Sequence, residues 1–271
     1  MKVLGRAVLP VMLVALITAA CQTVQTTAGG AVGVDRTQMM MVSAQEVEQA
    51  SRQQYQQMLV EARSKNALNR NPAQVQRVRT IVSRLSTQAG AFRQDALRWP
   101  WEVNVFSSNE LNAWCMAGGK MAIYSGLIER LNLTDDEIAA VMGHEIAHAL
   151  REHAREKVSK SMATGLGVSV AGALLGVGAA GQDLMSMVAK VSFELPNSRE
   201  YEIEADRMGV ELAARAGYDP RAAVTLWNKM ASASNGGPPQ WLSTHPSHAT
   251  RQRELIDYAA RVMPLYERAR R

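Results

Sequence analysis

Long hydrophobic runs are scarce in this chain of 271 residues. The apolar stretch Ala7–Ala20 is shorter than the roughly 20 apolar residues that a membrane-spanning helix needs. Lys2 and Arg6 supply positive charge before it, and small residues end it. This pattern predicts a signal peptide over residues 1–20 that is not part of the fold, rather than a retained transmembrane anchor.

Cysteine is nearly absent, since Cys21 and Cys115 are the only two. The stretch Leu16-Ile17-Thr18-Ala19-Ala20-Cys21 resembles a bacterial lipobox, although Thr18 stands where leucine is usual. Lipidation would make Cys21 the mature N-terminus, and the alternative is plain secretion with cleavage nearby. With Cys21 lipidated, Cys115 has no partner for an intramolecular disulfide, so the core and a bound metal must hold the fold.

A large excess of charge of one sign is also missing. The net charge is +5, and Lys and Arg are interspersed with Glu and Asp along the predicted helices. Such a mildly basic surface predicts no nucleic-acid partner.

The composition predicts one α+β, mainly helical domain behind a polar tether. Residues 21–41 are small, polar and rich in glycine, so we expect a tether with too little apolar surface to fold alone. Residues 42–271 are predicted to form the domain, with the motif-bearing core at about 100–255. Segments 43–64 and 72–95 carry apolar residues at helical spacing.

A small β-sheet is predicted in the middle of the chain. Residues 101–106 alternate apolar and polar side chains, and residues 120–124 follow two glycines, which predicts two short strands. Residues 163–181 carry no charge. They are interpreted as a close-packed helix or hairpin, or alternatively as a segment that touches the membrane or covers a cleft. The final helix is expected to end or kink before Pro264.

A metal-binding pattern lies in the helix that begins after Thr134, where Glu137 completes a capping box. His144 and His148 are four residues apart, so their imidazoles project side by side and can bind one ion. Glu145 can reach a water on that ion but not the ion itself. The pattern predicts a zinc site with Glu145 as catalytic base, and the alternative is a solvated histidine pair.

A catalytic zinc site needs a third protein ligand, which we expect from a second helix. In the stretch Ser198–Asp206, Glu202 and Asp206 are four residues apart on one helical face. Glu202 is the predicted third ligand, and Asp206 is predicted to accept a hydrogen bond from a ligand histidine and to fix its tautomer.

The other ionisable residues near these motifs are given structural or solvent roles. Glu200 and Glu204 fall on other helical faces and are predicted to be solvent charges. A metzincin pattern would need glycine at position 151 and histidine at position 154, where the chain has Arg151 and Ala154. His153 lies about 140° around the helix axis from the second histidine of the motif, so it is predicted to be structural.

Three motifs follow one another in the chain: Gly143–His148, then Ser198–Asp206, then Thr244-His245-Pro246 with Arg251. Together they resemble metallopeptidase family 48, which includes HtpX, the CAAX prenyl endopeptidases and the bacterial envelope proteases LoiP and BepA. The resemblance covers about residues 100–255. The stretch Trp114–Ala117 departs from it, because relatives often have a proline before the glycine pair.

The resemblance implies a gluzincin-type zinc metalloendopeptidase with one Zn²⁺ per chain. The implied ligands and their supporting residues are His144, His148, Glu202, Asp206 and Arg251. Zinc would polarise the scissile carbonyl, and Glu145 would carry a proton from water to the leaving amine. His245 is expected either to stabilise the oxyanion or to act as a fourth ligand that keeps the resting enzyme silent.

The expected substrates are unfolded or misassembled polypeptides, including outer-membrane proteins. The strand from Lys120 to Ser125 is expected to be an exposed sheet edge, which can pair with an extended peptide of almost any sequence. Gln22 follows Cys21, not the aspartate linked with inner-membrane retention, which favours a periplasmic lipoprotein of the outer membrane. The alternatives are a zinc-stabilised periplasmic chaperone or assembly factor and, less favoured, a peptidoglycan-active zinc hydrolase.

Overall fold

The computed structural model describes residues 22–164, 180–233, 240–246 and 249–271. The predicted signal peptide, Cys21 and most of the uncharged segment 163–181 lie outside the described residues. The described strands are β1 (Gln22–Val24), β2 (Gln38–Met40), β3 (Glu102–Phe106), β4 (Ala113–Met116) and β5 (Lys120–Tyr124).

Helices make up most of the described chain, which confirms the predicted α+β, mainly helical class. They are α1 (Ala44–Ser64), α2 (Pro72–Ser86), α3 (Ser125–Arg130), α4 (Asp135–Leu150), α5 (His153–Ala163), α6 (Ala180–Phe193), α7 (Arg199–Arg215), α8 (Ala222–Ser232), α9 (Gln240–Thr244) and α10 (Ala249–Ala269). Among the described residues, no helix has both the length and the hydropathy to cross a membrane.

The central sheet has the order β3-β5-β4, with β3 parallel and β4 antiparallel to β5. The prediction that the strand starting at Lys120 is an edge is therefore wrong. The edge strands are β3 and β4. Sequence analysis missed β4 because its residues, Ala-Trp-Cys-Met, do not alternate between apolar and polar. Gly118 and Gly119, at φ +77° and +75°, form the turn that folds β4 back onto β5.

Two long helices, α4 and α7, cross at the centre of the molecule. A Cβ on Gly143 would lie 2.9 Å from the backbone oxygen of Gly209, and a Cβ on Gly209 would lie 2.8 Å from the backbone nitrogen of His144. Only glycines allow the two backbones to approach this closely. The crossing brings the histidines of one helix against the carboxylates of the other.

The structure corrects the predicted tether, because residues 22–41, here called the N-terminal segment, pack against the domain. Val32, Val34 and Met40 are buried in it, and so is the polar Gln38. The Nε2 amide of Gln38 donates hydrogen bonds to the carbonyl of Arg151 and to the carboxylate of Glu156. The few apolar side chains of this segment are enough to hold it against the domain, because its buried polar groups add specific hydrogen bonds.

One predicted helix start is confirmed, and two predicted helix ends differ from the structure. Thr134 and Glu137 form the predicted capping box at the start of α4. Helix α2 ends at Ser86 and is followed by two short 3₁₀ turns, so it is shorter than expected. Helix α10 runs through Pro264 to Ala269, where Leu265 and Tyr266 pack against the core and offset the lost backbone hydrogen bond.

Candidate metal centre

The predicted ligands converge in one buried cluster at the crossing of α4 and α7. Helix α4 supplies His144 and His148, α7 supplies Glu202, and the chain after α9 supplies His245. One ligand atom from each of the four residues lies within 4.8 Å of all the others, and all four residues are buried. Glu202 stands in the first turn of α7, where the partial positive charge of the helix N-terminus favours a carboxylate.

The distances within the cluster fit a single small ion. His144 Nε2 lies 3.1 Å from His148 Nε2 and 3.3 Å from His245 Nδ1. Glu202 Oε1 lies 3.0 Å from His245 Nδ1 and 3.3 Å from His148 Nε2. A tetrahedron with metal–ligand bonds of roughly 2.0–2.1 Å has edges of roughly 3.3 Å. The four donors therefore have the spacing and the chemistry to hold one small divalent metal ion.

His144 is oriented by Asp206, as predicted. Its Nδ1 lies 3.0 Å from Asp206 Oδ1, which leaves Nε2 turned toward the other ligands. Arg251 in turn donates to both oxygens of Asp206, at 2.7 and 2.8 Å, and its Nη1 lies 2.8 Å from Glu202 Oε2. Asp206 and Arg251 thus contact the residues that they are predicted to support, and the roles themselves stay predictions.

The pKa values of the two motif histidines move in opposite directions. Burial lowers the pKa of His148 well below its usual value, so this ring is neutral and offers a lone pair. Burial acts in the same sense on His144, but hydrogen bonds with Asp206 and Glu202 outweigh it and raise the pKa to about 9. Without a metal, a proton on His144 would take the place of the cation between the facing nitrogens.

The structure corrects the prediction for Glu204 and adds an unforeseen contact for His153, which lies outside the ligand cluster as predicted. Glu204 is buried at 6% exposure, not a solvent charge, and it accepts a hydrogen bond from His153 Nε2 at 2.9 Å. His153 Nδ1 lies 2.8 Å from His148 Nδ1. The helical-wheel argument failed because α4 ends at Leu150 and Glu152 adopts a left-handed conformation, φ +52°. Glu200 is exposed, as predicted.

Sequence analysis missed Trp241, which holds the predicted base. Trp241 is buried and its indole Nε1 donates to Glu145 Oε1 at 2.7 Å. The same indole stacks on the His245 ring at a centroid distance of 4.7 Å. His245 Nε2 lies 3.5 Å from Glu145 Oε1. The only signal in the sequence was a lone tryptophan four residues before His245.

A cavity of about 300 Å³ opens beside the cluster. Glu145, His148 and His245 line one wall, and residues 112–118, which include β4, line another. Phe193, at the end of α6, also lines this space. The predicted base and ligands thus border a space next to the sheet edge.

Comparison with known proteins places these residues in a family. The family model described as Peptidase family M48 matches residues 72–259, which is more than half of the chain. The chain belongs to peptidase family M48. This confirms the resemblance drawn from the three motifs, and the matched range of the M48 domain includes all four clustered residues.

Several M48 relatives are similar over different lengths. Mitochondrial metalloendopeptidase OMA1 of Arabidopsis thaliana is 36% identical over 155 residues, which cover 57% of this chain and 31% of the relative. Metalloprotease LoiP of Escherichia coli is 29% identical over 255 residues, which cover 93% of this chain and 96% of the relative. Metalloprotease YcaL of the same organism is 28% identical over 178 residues, covering 65% and 69%. The chain thus spans about a third of OMA1 but nearly all of LoiP.

Proposed function

We propose that this chain is a zinc-dependent endopeptidase with Glu145 as general base. The position of Glu145 carries the proposal. It directly follows the ligand His144, is only 3% exposed, and borders the cavity beside the sheet edge. A zinc site that only stabilised the fold would need its ligands but no carboxylate next to them.

The residues present fit the roles that peptide hydrolysis requires. His144, His148 and Glu202 would hold zinc, which acts as a Lewis acid and makes water acidic near neutral pH. Glu145 accepts the proton of the attacking water and later delivers it to the leaving amine. Trp241 Nε1 holds Glu145 Oε1, so the carboxylate keeps one orientation through both transfers.

The substrate is proposed to be an extended polypeptide bound along β4. One side of β4 pairs with β5, and its residues line the cavity that holds Glu145. Main-chain hydrogen bonds to a strand edge depend little on side chains, so they suit unfolded or misassembled proteins. Peptide pairing was predicted for the strand that starts at Lys120, and we now propose it for β4.

The proposed location is the bacterial periplasm, with a lipid on Cys21 as outer-membrane anchor. Support comes from the signal-like residues 1–20 and the lipobox-like sequence before Cys21. The proposal includes quality control of envelope proteins and no nucleic-acid partner. Mass spectrometry of the membrane-extracted protein tests it, since an unmodified Cys21 or a different mature terminus would exclude the anchor.

A second candidate function, a zinc-stabilised chaperone or assembly factor, is favoured by one observation. His245 Nδ1 lies among the other ligand atoms, so four protein donors surround the site. A closed set of four donors is typical of structural zinc, and in an enzyme it would mean latency. His245→Ala separates the two, because it should raise cleavage by a latent peptidase and leave a chaperone inactive as a protease.

The direct test is cleavage of casein by the zinc-loaded protein, compared with Glu145→Gln. We expect both proteins to bind one zinc and only the unaltered chain to cleave. Glu61→Gln, which removes an exposed carboxylate far along the chain in α1, is the control and should cleave normally. Zinc binding without cleavage by either protein or by His245→Ala would reject the peptidase in favour of the chaperone.

A further inference from the structure

A chain of buried hydrogen bonds starts at the back of His148. His148 Nδ1, the nitrogen that faces away from the other ligands, lies 2.8 Å from His153 Nδ1. His153 Nε2 lies 2.9 Å from Glu204 Oε2. All three residues are buried, at 8%, 1% and 6% exposure.

The positions of the protons in this chain follow from what each atom can do. Glu204 is an acceptor only, because two arginines hold it ionised, so the proton lies on His153 Nε2. Two ring nitrogens 2.8 Å apart share one proton. If it belonged to His153, His148 would have to carry its own proton on Nε2 and could not bind a metal. Metal binding thus requires His148 to donate from Nδ1 to His153.

Glu204 is held from two directions. Arg36, in the N-terminal segment, donates from Nε to Glu204 Oε1 at 2.8 Å, and Arg151 donates to both oxygens at 3.1 Å. Arg36 also binds both oxygens of Glu156, at 2.8 and 2.9 Å. Lys160 also pairs with Glu156, and Arg36 also pairs with Glu200. Three cations thus face three carboxylates, so this group needs no charge on His153.

The ring of His153 is fixed in place as well. It stacks on Tyr201 with a centroid distance of 4.4 Å and an interplanar angle of 15°. Glu152, in its left-handed conformation, ends the preceding helix and lets His153 return toward His148. The ring thus cannot turn away from His148 without losing both the stacking and the hydrogen bond to Glu204.

We propose that His153 is a positioning residue of the metal centre, and that Arg36 supports it through Glu204. His153 fixes the tautomer and the orientation of His148, as Asp206 does directly for His144. The N-terminal segment thereby contributes to metal affinity although none of its residues lies in the cluster. This inference rests on the proposed zinc site, but not on its being a peptidase.

The test compares His153→Leu with His153→Gln in the full mature chain, with zinc affinity measured by competition with a chromophoric chelator. A glutamine amide can accept from His148 and donate to Glu204, whereas leucine fills similar space and does neither. We expect leucine to weaken zinc binding by roughly 10-fold to 100-fold, the usual effect of losing such an outer partner, and glutamine to restore most of it. The visible spectrum of the Co²⁺-loaded protein should shift in the leucine variant alone.

Arg36→Gln provides a second variant in case His153→Leu does not fold, because Arg36 is partly exposed at 23%. We expect a smaller loss of zinc affinity. Lys160→Gln is the matched control, since Lys160 contacts Glu156 and Tyr201 but not Glu204, and it should bind zinc normally.

An equal loss of zinc affinity in the leucine and glutamine variants would mean that His153 only fills space. Unchanged zinc affinity in both variants would mean that His153 has no role at the metal centre. Each result overturns the proposal. If Arg36→Gln lowers the thermal stability of the metal-free protein but leaves zinc affinity unchanged, Arg36 stabilises the fold only, and its proposed support of the metal centre is wrong. A wild-type chain that binds zinc tightly but cleaves nothing would reject the peptidase and leave this inference standing.

Discussion

The metal centre and the cleft beside it are adjacent but are built in different ways. In the centre the three predicted ligands each have a buried partner: Asp206 beside His144, His153 beside His148, and Arg251 beside Glu202. In the cleft, β4 has β5 on one side and, among the described residues, no strand on the other. The first arrangement fixes one small occupant, and the second admits the backbone of many peptides. Substitutions in the centre should therefore have larger effects than substitutions in the cleft.

The largest effect is expected from Arg251→Met. Arg251 is 1% exposed, and its loss leaves the Asp206 and Glu202 carboxylates buried without their guanidinium. Removing one partner of a buried ion pair typically costs about 3–5 kcal/mol of stability. Urea unfolding of the metal-free protein measures this. Arg221→Met, which removes an exposed ion pair with Asp219, should have no measurable effect, and equal midpoints for the two variants would contradict the account.

Trp241→Phe should act on catalysis and not on metal binding. The phenyl ring can keep the stacking on His245 but cannot donate to Glu145. Losing a hydrogen bond to a charged group corresponds to roughly a 10-fold to 100-fold lower kcat, with KM and zinc content unchanged. Trp227→Phe is the control, because Trp227 packs against Trp241 at 5.1 Å and has no contact with Glu145 among those described. If zinc content falls instead, Trp241 helps to hold the metal, and the account of its role is wrong.

Zinc affinity should depend on pH through His144. Its pKa in the metal-free protein is raised to about 9, and zinc binds the neutral ring, so below that pH binding releases a proton. Affinity should therefore fall about tenfold for each pH unit below 9. Competition titrations at pH 7 and 8 measure it.

The stability of the metal-free protein should change in the opposite sense. A pKa raised from 6.5 to about 9 on folding gives stability that is complete below pH 6.5 and is lost as the pH rises through 9. Zinc affinity that is the same at pH 7 and 8 would show that His144 is already neutral in the metal-free protein, with no proton on Nε2.

The smallest effect is expected in the cleft, from Phe193→Ala. Phe193 lines the cavity, and its described ring contact is with Trp114 of β4 and not with a ligand. Its loss should weaken peptide binding by a few-fold in KM, in line with about 1 kcal/mol of apolar burial, and leave kcat and zinc content unchanged. Steady-state kinetics with a quenched fluorescent peptide measures both constants. A large drop in kcat would mean that the cleft contributes to the chemical step and not only to peptide binding.

The parts of the site that lie on one regular helix were predictable from sequence. His144, Glu145 and His148 follow from the 3.6-residue period of α4, and Glu202 with Asp206 from that of α7. The capping residue Thr134 marked where α4 begins. In each case the side chains share one helix, so their relative positions follow from its geometry alone.

The parts that depend on contacts between distant segments were not predictable. The contact of His153 with His148 was not foreseen, because the break at Glu152 ends the helical period. Glu204 was misjudged because its partners, Arg36, Arg151 and His153, come from other segments that pack against its face of α7. Trp241 reaches Glu145 only after α9 packs beside α4. The N-terminal segment has a polar composition, and Arg36 finds its partners only in the folded domain. Local patterns carry no information about such pairings.

The most direct test of the account is anomalous diffraction at the zinc absorption edge from crystals of the zinc-loaded protein. We predict one zinc peak within roughly 2.0–2.1 Å of Nε2 of His144, Nε2 of His148 and a Glu202 oxygen. A peak elsewhere, or a zinc held at this position without Glu202, would contradict the assignment of the metal centre.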